Sequence, residues 1–171
     1  MVFGLFKKDP FEIYHEERKN FHKTYIPTSL LISSSDFWNR IEQLEKNQDI
    51  EGLIELSRLE DVQLRHHVIN ILLHWEKNDH DPRIIECIWN MIKYDENTHV
   101  AEEIISDIRH SKQKSFLPYF KEFFNTYYKL YWDSDYRLKD KLDRWRNDGF
   151  VVDFKRFLSE IKNAIETLEE S

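Results

Sequence analysis

Residues 49–75 read DIEGLIELSRLEDVQLRHHVINILLHW. Asp49 stands ahead of Ile50, Leu53, Leu56 and Leu59, whose three-residue step draws one apolar stripe along a helix. Asp61 then restarts the pattern with Leu64, Val68, Ile71, Leu72 and Trp75. At each start the aspartate offers an oxygen to the N–H groups that a first helical turn leaves without partners. The stretch therefore predicts two antiparallel amphipathic helices joined by a tight, aspartate-capped turn.

The same grammar continues on both sides. Phe37, Ile41 and Leu44 mark a helix from Asp36 to about Asn47. Asp81-Pro82 is a strong start signal, because proline fits the first helical position where no N–H is needed; Ile85, Ile88, Trp89 and Ile92 follow it. Asp95 is expected to open the next helix, with Val100, Ile104, Ile105 and Ile108. An aromatic helix runs from Phe116 to Trp132, and Leu138, Leu142 and Trp145 predict another. After the loop signal Asn147-Asp148-Gly149, a last helix carries Phe150, Phe154, Phe157, Leu158, Ile161, Ile165 and Leu168. At the other end, Phe11, Tyr14, Arg18, Phe21 and Tyr25 trace a helix started by Asp9-Pro10. Leu30 to Ile32 read as extended chain and Ser33 to Ser35 as a linker. No window alternates polar and apolar residues as a half-buried strand requires, so the fold class is all-α. The expected division is an N-terminal helix and linker over 1–34 and a helical domain over 35–171.

Leu53, Ile85 and Leu117 are spaced by 32 residues each time, and Leu56, Ile88 and Phe120 fall in register with them. Each copy is followed by an aspartate, namely Asp61, Asp95 and Asp135. Over residues 49–145 this pattern resembles HEAT-like α-helical repeats, carried most clearly by Asp61-Val62-Gln63-Leu64-Arg65. The resemblance implies helix pairs stacked as a short α-solenoid, with Arg65 packed along the inner helix toward the turn. The later copies put Val100-Ala101 and Leu138-Lys139 where the first has Leu64-Arg65. A compact irregular helical bundle is the alternative architecture.

Composition narrows the function. The net charge of −7 runs against a dedicated duplex-binding protein, which needs a basic face. Gly4, Gly52 and Gly149 are the only glycines, too scattered to build a phosphate-cradling loop. The single Cys87 excludes an intramolecular disulfide and any multi-cysteine zinc site. No apolar run is long enough to span a bilayer. The expected location is the cytoplasm, with residues 1–8, apolar and then basic, as the one segment suited to peripheral membrane contact.

No catalytic, cofactor-binding or metal-ligating residue emerges. Glu12 with His15 and Glu96 with His99 have a di-iron spacing, but composition alone yields about one such pair in a chain this rich in both residues. His66, His67, His74 and His80 lack the zincin spacing. Cys87 sits mid-helix among apolar neighbours and reads as packing. Arg137, Lys139, Lys141, Arg144 and Arg146 are matched by Asp133, Asp135, Asp140, Asp143 and Asp148.

Surface character remains. Tyr127, Tyr128, Tyr131, Trp132 and Tyr136 exceed what one buried stripe uses, and such residues anchor protein interfaces. Residues 36–61 hold eight acids against three bases. The expectation is a non-catalytic protein–protein interaction module with an aromatic and acidic surface, such as an assembly component or a toxin-neutralising immunity protein. The alternative is a HEAT-like nucleic-acid-binding or processing protein.

Overall fold

The computed structural model describes residues 10–27, 34–132 and 154–171. They form eight α-helices and one 3₁₀ turn: α1 (Pro10–His22), α2 (Ser34–Lys46), α3 (Ile50–Leu56), α4 (Val62–Asp79), α5 (Pro82–Tyr94), α6 (Thr98–Ser111), a 3₁₀ turn (Lys114–Phe116), α7 (Leu117–Trp132) and α8 (Phe154–Glu170). The all-α class is as the sequence predicts. The expected peripheral segment 1–8, the extended stretch Leu30 to Ile32, and the helix carrying Leu138, Leu142 and Trp145 lie outside the described residues.

Three of the aspartates cap their helices. Asp49 accepts from the Gly52 N–H at 2.9 Å, Asp61 from Gln63 and Leu64 at 2.9 and 3.0 Å, and Asp81 from Arg83 at 2.9 Å. Asp95 does not cap: Asn97 takes that place and accepts from the His99 N–H at 3.0 Å. The Asp95 carboxylate still accepts the Asn97 N–H, two residues on, which is the Asx-turn chemistry that makes it resemble a cap.

Sequential neighbours pack from α2 through α6, and helices one place further apart also touch: α3 with α5, and α4 with α6. α8 packs on both α6 and α7. α5 is the centre of this arrangement, burying Ile84, Ile85, Cys87, Ile88, Trp89, Met91, Ile92 and Tyr94 on nearly all sides. α3 ends at Leu56, so Leu59 lies beyond it, yet stays buried where Ile26 forms an isolated parallel bridge with it. Gly52 allows α2 and α3 to approach, since a Cβ there would lie 2.5 Å from Leu44 Cδ2.

The first helix shares the one core, contributing Phe11, Tyr14 and Phe21. Its polar residues complete the end of α5, where the last carbonyls have no helical partners. The Tyr14 hydroxyl donates to the Lys93 carbonyl, Arg18 Nη2 to the Asp95 carbonyl at 2.6 Å, and His22 Nε2 to the Tyr94 carbonyl at 2.7 Å. The spacing 14, 18, 22 places all three on one helical face.

Candidate binding groove

On α5, Glu86, Trp89, Asn90 and Lys93 follow one another at helical steps; on α7, so do Tyr119, Glu122, Phe123, Thr126 and Tyr127. The two stripes face each other across a groove closed at one end by Tyr14 and Glu17 of α1, with a volume of about 450 Å³.

Its floor is a lattice of rings. Trp89 is buried, edge-on to Phe120 at 5.5 Å and to Phe123 at 5.7 Å, and tilted against Tyr119 at 6.0 Å. Tyr127 lies 4.5 Å from Phe123, 5.8 Å from Tyr14 and 5.2 Å from Phe11, centroid to centroid. Edge-to-face packing of this kind fixes ring orientation as well as burying area.

Charge is placed around that floor. The Lys93 ammonium sits 4.5 Å from the Tyr94 ring centroid and 5.6 Å from that of Trp89, and donates to the Tyr94 hydroxyl oxygen at 3.2 Å. The Tyr94 hydroxyl in turn donates to the Glu17 carboxylate. Burial lowers the Lys93 pKa, opposed by the nearby Glu17, Glu122 and Glu86 carboxylates. Burial, followed by the bond to Glu17, pushes the Tyr94 hydroxyl well above its usual range. Glu86 and Glu122 are exposed on the rim, and neither forms an ion pair among the described residues.

Behind the groove lies a second, deeper polar group. Arg65 is fully buried, donates to the carbonyls of Leu59 and Glu60 at 2.8 and 3.0 Å, and grips the Asp95 carboxylate with two bonds. The Tyr25 ring covers its guanidinium at 4.5 Å. A smaller cavity of about 180 Å³ opens beside Asp95, where Arg156 is paired with Glu102 at 2.8 Å. Among the described residues, no group of three or more His, Cys, Asp or Glu is arranged to hold a metal ion. Cys87 is buried, its thiol pKa raised by desolvation, with the Ser57 hydroxyl 3.3 Å from its sulfur.

Of the five aromatics singled out as an interface, Tyr127 forms part of the groove wall. Tyr128 is exposed and stacks on Phe124 at 4.9 Å, outside the groove. Tyr136 and the side chains of Tyr131 and Trp132 lie outside the described residues. Trp89, Lys93, Tyr119, Glu17, Glu86 and Glu122 were not legible as a site. Their signal is the matching step of acid and aromatic on two helices, Glu86 to Trp89 and Tyr119 to Glu122, which means something only once the helices are known to be neighbours.

No family model, characterised protein or solved structure matches this chain. Among the described residues no helix is long and apolar enough to cross a membrane.

Proposed function

We propose that the protein is a non-catalytic interaction module of the cytoplasm, a HEAT-like stack of helix pairs that holds a basic segment of a partner protein in the groove between α1, α5 and α7. The observation that carries this reading is the groove itself: Trp89, Tyr119 and Tyr127 line it, and Glu86 and Glu122 stand on its rim with no ion pair among the described residues. Large, stiff aromatics at the centre of a patch supply affinity, while unbalanced carboxylates at the edge steer the encounter and select its sign. The contacts of α3 with α5 and of α4 with α6 support the stacked arrangement, since each helix pair then covers the apolar face of the next. The same rim repels a phosphate backbone, which disfavours the nucleic-acid alternative. An assembly component and an immunity protein masking a basic toxin both fit this chemistry.

The test is affinity capture from the source lysate with three forms: wild type, Tyr119→Ala/Glu122→Ala in the groove, and Glu42→Ala/Glu45→Ala on α2. The reading expects a protein held by wild type and the α2 variant and lost by the groove variant, each form keeping its helical circular dichroism. Equal capture by all three would remove the groove from the account.

A further inference from the structure

We infer that the groove is a receptor for a single arginine side chain of the partner, which lies on the half-buried Tyr119 and neutralises Glu86 and Glu122. This rests on the reading of the groove as a protein-docking site and specifies what it recognises. The argument starts from Lys93. An ammonium already sits over the Tyr94 and Trp89 rings, so the groove tolerates a cation against its aromatic faces. Lys93 occupies the inner end, where the Tyr94 hydroxyl links it to Glu17. Its single positive charge is set against the three carboxylates that line the groove, Glu17, Glu86 and Glu122. Glu86 and Glu122 are left at the outer end, one on each wall, with the half-buried Tyr119 beside them.

That outer end suits a guanidinium better than an ammonium. A planar, weakly hydrated cation stacks on aromatic faces, and its five donors in a fork serve two carboxylates at once. A second ammonium would bring a compact, strongly hydrated charge next to Lys93 with less stacking in return. Lys93 then acts as a restraint on affinity, because its charge repels the incoming side chain.

The experiment is a titration of the full chain with N-acetyl-arginine methylamide, followed through the indole N–H resonance of Trp89, assigned by its loss in Trp89→Phe. N-acetyl-citrulline methylamide, neutral and nearly isosteric, and the lysine analogue are run alongside. The arginine compound is expected to bind about fivefold or more tighter than citrulline, and measurably tighter than lysine. Glu86→Gln/Glu122→Gln is expected to abolish that difference, and Lys93→Met to tighten arginine binding several-fold. Equal binding of arginine and citrulline, indifference to Glu86→Gln/Glu122→Gln, or weaker binding in Lys93→Met would overturn the inference. If that happens while lysate capture still depends on Tyr119 and Glu122, only the arginine assignment fails. If capture is indifferent as well, the docking reading fails with it.

Discussion

Arg65 and Asp95 form a two-bond ion pair, Nε to Oδ2 at 2.7 Å and Nη2 to Oδ1 at 3.0 Å, with both side chains sealed from solvent. The pair links the start of α4 to the end of α5, thirty residues apart in sequence. Around it the remaining valences are taken by the Leu59 and Glu60 carbonyls and by the Asn97 N–H. Removing one partner strands a charge where water cannot reach it. Asp95→Ala and Arg65→Met are each expected to destabilise by about 3–5 kcal/mol in urea unfolding. The double variant Arg65→Met/Asp95→Leu is expected to lose less than the two single losses combined, because no buried charge is left alone.

His22 makes stability depend on pH. Burial lowers its pKa below the usual 6.5, opposed by the bond to the Tyr94 carbonyl; Arg18 lowers it further, while Glu96 and Asp95 raise it. The unfolded chain therefore binds a proton at a higher pH than the folded one does. Stability from His22 is present above about pH 6.5 and is lost as pH falls toward the folded value. Unfolding free energies at pH 7.5 and pH 5 should differ less in His22→Gln than in wild type. An unchanged difference would assign the pH dependence to other groups.

Two helices end on residues strained for lack of glycine. His80 closes α4 at φ 50° and Lys112 closes α6 at φ 55°, both left-handed. Lys112 is exposed, and its structural contribution there is a backbone N–H given to the Arg109 and Ile108 carbonyls. Lys112→Gly keeps that bond and relieves the side-chain clash. It is expected to stabilise by about 0.5–1 kcal/mol, the relief outweighing the extra freedom of the unfolded chain. Thermal unfolding of the two proteins checks it.

Asp61 is the N-cap of α4. Its side chain accepts from two first-turn N–H groups, so Asp61→Ala is expected to lose about 1 kcal/mol and Asp61→Ser to recover most of it. Denaturant midpoints of the three proteins decide this.

The legible features were local. Capping oxygens, apolar stripes and the break at Asp81-Pro82 act within a turn or two of the chain, and the helices they predict within the described residues are present. Asp95 misled because an Asx turn and a helix cap use the same atom on the same N–H spacing; what separates them is Arg65, which reaches the carboxylate from another helix. The role of α1 was hidden for a different reason. Tyr14, Arg18 and His22 bind main-chain carbonyls, which every residue has, so no side-chain pattern on α5 announces the contact. The groove draws on three helices, and among its walls only Tyr127 is one of the five aromatics whose number pointed to an interface.

The most direct test places a photo-crosslinking amino acid at position 119 and, as a control, at position 42 on α2, and irradiates each protein in the source lysate. The account predicts a single crosslinked protein from position 119, weakened as salt rises because carboxylates steer the encounter, and none of it from position 42. A crosslink to that protein from position 42 alone, or one at position 119 that salt does not weaken, would contradict it.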